Sequence, residues 1–188
     1  MKILDETNLN SLQVREHCYN DLGKRCVIKT DSQDVFKKYT GVFAISSVGG
    51  EGWELYEKGG MDSIRMKEFL RRHITGKYKE KVIEMDNASS HRNEKVKQEV
   101  NEKDKLLYRI PYQPYTNAIE NFFSVLKSKL QKMKGLKYEE LKKNIEKAIK
   151  KIPSEKYKRI IEGVYRREGI KYEKKESTKK KELKKYII

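Results

Sequence analysis

Residues 82–92 read VIEMDNASSHR: four residues of strand character that run into an aspartate, then small and polar residues, then a histidine and an arginine. An apolar run bounded by Asp-Asn marks a strand end. Its neighbours on either side indicate the kind of fold. Upstream, MDSIRMKEFLRRHI (61–74) places Ile64, Phe69, Leu70 and Ile74 near helical spacing and predicts an amphipathic helix. Before it, TGVFAISSVGG and GWELYEKGG make two β-rich runs over 41–57, joined by Gly49-Gly50-Glu51-Gly52, the composition of a hairpin turn. KILDE at 2–6 predicts a short first strand that breaks into acids, and the stretch to about residue 40 predicts loop with one weak strand, CVIK. Downstream, NEKVKQEVNEK predicts a short helix and KLLYRIP another strand. The order is β, β-hairpin, α, β, α, β, which is the pattern of an α/β domain.

From Asn117 to Met133 the residues Ile119, Phe122, Phe123, Leu126, Leu130 and Met133 fall on one helical arc of roughly 100°, so a long helix packs on the sheet. Two more amphipathic helices are predicted, at 138–151 and after Pro153, ahead of the Lys/Glu-rich tail KKESTKKKELKK. We divide the chain into residues 1–135, an α/β body, 136–170, a helical extension of the same domain, and 171–188, a basic tail expected to be disordered.

With 188 residues the chain suffices for one domain of ordinary size with appendages. Lys and Arg number 44 against 28 Asp and Glu, a formal net charge of +16, and such an excess favours a polyanionic partner, nucleic acid first. Cys18 and Cys26 have neither the number nor the CxxC spacing of a zinc site or disulfide framework. No stretch approaches the roughly 20 apolar residues of a membrane span, and the first residues are too charged for a signal peptide. The expectation is an intracellular protein that makes no membrane contact, placed in cytoplasm or nucleoid in a prokaryote and in the nucleus in a eukaryote.

Three acids stand out by position. Asp5 ends the first strand, Asp86 ends the strand after the first long helix, and Glu120 opens the helix of 117–133. Ends of adjacent parallel strands lie roughly 5 Å apart, so Asp5 and Asp86 converge if their strands are neighbours. On the long helix Glu120, Ser124, Lys127 and Gln131 form a polar stripe that borders the apolar arc. Clustered carboxylates repel, and oxygen-only ligands select hard divalent cations such as Mg²⁺ or Mn²⁺. Two such ions activate a water or a 3′-hydroxyl and stabilise the leaving oxygen of a phosphodiester. Against this, each acid taken alone is more often a turn or helix cap.

LDET (4–7), MDNASSH (85–91) and IPYQPYTNAIENFFSVLKSKL (110–130) resemble, in order and spacing, the catalytic domain of mariner-type and related insertion-sequence transposases, the DDE superfamily of endonucleases. Family members read Pro-Tyr-Ser-Pro, two variable residues, Asn-Pro-Ile-Glu, then an aromatic-rich helix with a Lys. Here the block is Pro111, Tyr112, Gln113, Pro114, Asn117, Ala118, Ile119, Glu120 and Lys127, and Glu120 follows Asp86 by 34 positions, close to the family interval. The resemblance spans roughly residues 1–170, weakly between 10 and 40. It implies a ribonuclease H-like fold, a central mixed five-stranded sheet flanked by helices with extra C-terminal helices. It also implies metal-dependent cleavage and joining of DNA strands, with Asp5, Asp86 and Glu120 as catalytic metal ligands for two Mg²⁺ or Mn²⁺ ions. His91, Arg92, Tyr112, Asn117 and Lys127 become the candidate DNA contacts, and Tyr108, Tyr112 and Tyr115 either stack on unpaired bases or pack internally.

Departures from the pattern leave alternatives open. Ala118 replaces the usual proline. Glu84 sits mid-strand where the family is apolar, on the same side as Asp86. Relatives carry helix-turn-helix modules upstream, whereas this chain begins four residues before Asp5. DNA is therefore the expected partner, together with a homodimer on DNA and a separately encoded helix-turn-helix subunit. Two other functions stand beside transposition: a truncated or domesticated DNA-binding protein that cuts nothing, and a ribonuclease H-like nuclease that hydrolyses without strand transfer.

Overall fold

The computed structural model describes residues 1–11, 21–25, 37–75, 77, 80–100, 104–109, 117–133 and 137–165. CVIK, both cysteines, the Pro-Tyr-Gln-Pro segment with Tyr112 and Tyr115, Lys134 and the tail from 171 lie outside them.

Five strands are present: β1 (Lys2–Asn10), β2 (Lys38–Ser46), β3 (Gly49–Tyr56), β4 (Val82–Met85) and β5 (Lys105–Tyr108). They form one mixed sheet in the order β3-β2-β1-β4-β5. The β1–β2 and β2–β3 pairs are antiparallel, and β1–β4 and β4–β5 are parallel. This is the sheet that the resemblance implied, and its order makes the strands of Asp5 and Asp86 parallel neighbours.

Strand alternation assigns each residue to one of two faces. On one face Ile3, Leu9, Tyr39, Phe43, Ile45 and Leu55 are buried under α3 (Ala118–Leu130), α4 (Tyr138–Lys150) and α5 (Ser154–Tyr165). Phe122, Phe123, Leu126 and Leu130 of α3 supply the helix side, which is the expected apolar arc, with Met133 only partly buried. Leu141, Ile145 and Ala148 of α4 and Ile160 and Ile161 of α5 join the same core. On the other face Leu4, Val42, Ala44, Ile83 and Met85 pack on α1 (Ser63–Leu70), the π-helical turn Arg71–Thr75 and Val96 of α2 (Glu94–Glu99). Asp62 and Asn93 cap α1 and α2, each side chain accepting a backbone N–H of the first turn.

Three local expectations are corrected. The hairpin turns at Ser47-Val48, not at the glycines, because Ser46 pairs with Gly49, and Ser46 Oγ accepts the Val48 N–H at 3.2 Å. The glycines belong to β3 itself: the pairing slips between Ala44 and Ile45, leaving Glu51 as the extra residue of a bulge. Ile64 is 56% exposed, and the buried face of α1 is built instead from Met66, Phe69 and Leu70. Asp5 does not end its strand. Pairing with β2 carries β1 on to Asn10, so Asp5 lies mid-strand and buried.

Candidate active site

Ile3 pairs with Glu84 across β1–β4, and Glu84 pairs with Leu107 across β4–β5. Paired residues of parallel strands point to the same side, and so do residues two further along. Asp5, in mid-β1, Glu84 and Asp86 at the end of β4, and Arg109 just past the end of β5 therefore all emerge on the α3 face. Asn117, the N-cap of α3, accepts the Ile119 N–H with its side-chain oxygen at 3.2 Å and donates its amide to Asp5 Oδ2 at 2.9 Å. One residue thus caps the helix and fixes Asp5, which brings Glu120, in the first turn, near Asp5.

Each acid has defined partners. Asp5 Oδ1 accepts the Glu6 N–H at 2.8 Å, and Oδ2 accepts from Arg109 Nη1 at 3.1 Å as well as from Asn117. Burial raises the Asp5 carboxyl above its ordinary value; Asn117 and Arg109 pull it down, and the Asp86 charge adds to the rise. Asp86 Oδ1 accepts the Ala88 N–H at 2.9 Å and stands 2.5 Å from His91 Nδ1, close as an ion contact but not aligned as a hydrogen bond. His91 holds the Asp86 carboxyl below its usual range. Glu120 is raised, first by partial burial and then by the charge of Asp5, against the pull of Lys127 and Arg109. The three carboxylates feel one another's charge along the series Asp86, Asp5, Glu120.

His91 is fully buried between two acids, with Nε2 2.9 Å from Glu6 Oε2 and Nδ1 against Asp86. Burial alone would lower its pKa, but the two carboxylates push it up to about 10, so the ring is a cation at neutral pH. Tyr108 donates its hydroxyl to the His91 carbonyl at 3.0 Å. His91 has no exposed surface here and serves as an internal clamp between the end of β4 and β1. Asn117, half-buried, uses one amide N–H on Asp5 and its oxygen on the Ile119 N–H. Arg92 is exposed, Lys127 half-buried near Glu120, and Tyr112 lies outside the described residues. Ser124 and Gln131 of the polar stripe are exposed to solvent rather than sheltered.

Two residues of the site escaped the sequence reading. Glu6 was counted only as part of an acidic strand end, although alternation puts it on the face opposite Asp5. Arg109 lay in the apolar-looking KLLYRIP, and its signal was a cation two positions beyond the partner of Glu84, visible only once β4 and β5 are paired. Its Nε donates to Glu84 Oε1 at 2.8 Å and its Nη2 to the Leu4 carbonyl at 3.4 Å.

The donor set suits a hard divalent cation: carboxylate oxygens, mutually repelling, at a strand-and-helix junction. Among the described residues no three His, Cys, Asp or Glu side chains are already gathered closely enough to hold an ion jointly.

The comparisons agree with this architecture. The structure superposes on the "Mos1 Strand Transfer Complex" with a TM-score of 0.72 at 20% identity, over 87% of this chain and 51% of that one. For the "Mos1 mariner paired end complex with Mn" the TM-score is 0.69 at 20% identity, over 87% and 52%. For the "catalytic domain of Mos1 mariner transposase" it is 0.63 at 17% identity, over 87% and 76%. The chain thus spans about half the length of the first two of these chains. At these identities the likeness establishes the fold. No curated protein sequence matches the chain. The family profile described as DDE superfamily endonuclease matches residues 1–142 of the 188, a span that takes in Asp5, Asp86 and Glu120, and the chain belongs to that family.

Proposed function

We propose that the chain is the catalytic part of a DDE-type transposase, which cleaves and joins DNA strands at transposon ends with divalent metal. The observation that carries this reading is the placement of Asp5 and Asp86 on adjacent parallel strands with Glu120 in the first turn of α3, near enough for each to perturb the next. Asp5, Asp86 and Glu120 would hold Mg²⁺ or Mn²⁺, two ions in the full site; among the matched Mos1 structures one is described with Mn and another with Mg. When bound, such ions supply an activated oxygen nucleophile and stabilise the leaving oxygen.

The chain's own residues do the rest. Asn117 and Arg109 orient Asp5. His91, charged and buried, holds Asp86 and Glu6 in a fixed relation while its carbonyl is tied by Tyr108. Lys127 shares a helix face with Glu120 and is the group we assign to the phosphate beside the scissile bond; Arg92, Tyr112 and the lysines of α3 follow the flanking backbone. Residues 1–135 are the catalytic body and 136–170 an extension of the same domain, a reading supported by α4 and α5 sharing one core with α3. A homodimer on DNA and a separate recognition subunit complete the proposed assembly.

A DNA-binding protein that cuts nothing is favoured by one observation, the guanidinium of Arg109 already on Asp5. One assay separates the readings: purified protein with Mn²⁺ and DNA carrying the element's terminal repeats, scored for nicks and for joined products. Both products support transposition, nicks alone support hydrolysis, and neither supports the silent protein.

A further inference from the structure

Glu84 and Arg109 pose a question that stability does not answer. Both are buried, at 7% and 8% exposure, and a buried ion pair is commonly worth no more than well-packed apolar residues in its place. The pair instead reaches outward: from the end of β5, Arg109 passes its Nε to Glu84 on β4 at 2.8 Å and its two terminal nitrogens to Asp5 Oδ2 at 3.1 Å and the Leu4 carbonyl at 3.4 Å on β1. One side chain spans three strands and ends on a carboxylate assigned to metal.

A guanidinium does not lose its proton in a protein, so its charge can be offset only by a counter-ion. A lone positive charge in hydrogen-bond contact with Asp5 would oppose a divalent cation bound to the same carboxylate, and in a buried setting salt screens this repulsion little. Glu84 supplies the counter-charge at Nε, a different nitrogen of the guanidinium from the one that meets Asp5. Asp5 meanwhile keeps acceptor capacity, since an ionised carboxylate offers about four lone-pair sites and three donors are present.

We propose that Glu84 and Arg109 form a charge-neutral pair beside Asp5, in which Glu84 cancels the guanidinium charge so that Asp5, whose orientation Asn117 also holds, retains its affinity for a divalent cation. The inference rests on the assignment of Asp5 and Asp86 as metal ligands. It makes the net charge of the pair, not its presence, the quantity that sets metal affinity.

The test is a Mn²⁺ titration of the full chain, followed by electron paramagnetic resonance of the free ion, on wild type, Glu84→Gln, Arg109→Gln, the double variant and Asp86→Asn. Thermal unfolding checks that each is folded. Glu84→Gln leaves the pair at +1 and should weaken Mn²⁺ binding about tenfold, the size of effect a single nearby charge has at a partly screened site. Arg109→Gln leaves it at −1 and should tighten binding, and the double variant should return near wild type. Single variants that shift affinity in the same direction, or not at all, overturn the proposal, because a merely structural pair would weaken the site whichever half is lost. Should Glu84→Gln not fold, Arg109→Gln alone decides: tighter binding supports the pair, weaker or equal binding overturns it. Wild type and Asp86→Asn separate the two levels. If wild type binds Mn²⁺ and Asp86→Asn does not, a failure belongs to the charge-balance inference alone; if wild type binds none, or Asp86→Asn binds equally, the metal assignment falls and the inference with it.

Discussion

Asp86 shows how one side chain can be bound into the fold and still be free for chemistry. Its Oδ1 takes the Ala88 N–H and the His91 contact, which leaves Oδ2 as the oxygen to offer a cation. Asp86→Asn keeps an acceptor for Ala88, so the loop should hold, but a neutral amide is a poor ligand for a hard ion. The expected outcome is DNA affinity within about twofold of wild type and Mn²⁺-dependent nicking reduced to background; undiminished nicking by a pure, folded sample would remove Asp86 from the site. Gly52 gives a prediction of a different kind. A Cβ there would stand 2.5 Å from Cγ of His73, whose ring is packed on Phe69 at 4.8 Å between centroids. Gly52→Ala must push the imidazole aside and should cost about 1–3 kcal/mol, read as a lower urea midpoint with an unchanged slope. The glycines of 49–52 were read from sequence as a turn. Their purpose, at Gly52, is room for a neighbour 21 positions away.

Among the elements, α3 and β3 carry the most testable packing. Phe122 meets Phe43, Phe123 and Tyr157 at centroid distances of 5.7, 5.8 and 5.8 Å, so it joins α3 to the sheet and to α5. Phe122→Ala should lose about 3–5 kcal/mol and loosen α5 as well as α3, which hydrogen exchange would register in both helices. On β3, Glu54 takes the Tyr56 hydroxyl at 2.6 Å and His73 Nε2 at 3.0 Å, with Arg72 at 3.3 Å. Burial alone would raise the Glu54 carboxyl, but these partners hold it below its ordinary value. A carboxylate whose folded value is depressed contributes stability that is present above its unfolded value and lost as pH falls through the folded one. The difference in Tm between wild type and Glu54→Gln should therefore be full at pH 6 and close as pH drops below about 4.5. A gap that persists unchanged at pH 3 would show that Glu54 acts through packing, not charge.

For the molecule as a whole the governing quantity is its charge of +16. If Lys127, Lys129 and Lys132 of the α3 region, with the lysines from 174 onward, neutralise DNA phosphates, affinity should fall with salt on a log–log slope of about 0.9 per phosphate contacted. Removing residues 171–188 should lower that slope equally for all sequences, whereas Lys127→Ala should reduce cutting more than binding; a titration in which the slope stays put would assign the charge to composition alone. The overall order of elements and the apolar arc of α3 were legible in the sequence, and the three acids stood out there as candidates, because periodicity and turn chemistry are set by near neighbours along the chain; that Asp5 lies mid-strand was not legible. The resemblance in the three blocks then named the family that residues 1–142 match. Local pattern carried no information on the placement of β1 between β2 and β4, on the turn at Ser47-Val48, on the burial of His91 between Glu6 and Asp86, or on Arg109 reaching Asp5 across 104 positions of chain. Each of these depends on which strands pair and in what register, and that choice is made by burial summed over the whole sheet, a quantity no short stretch of sequence contains.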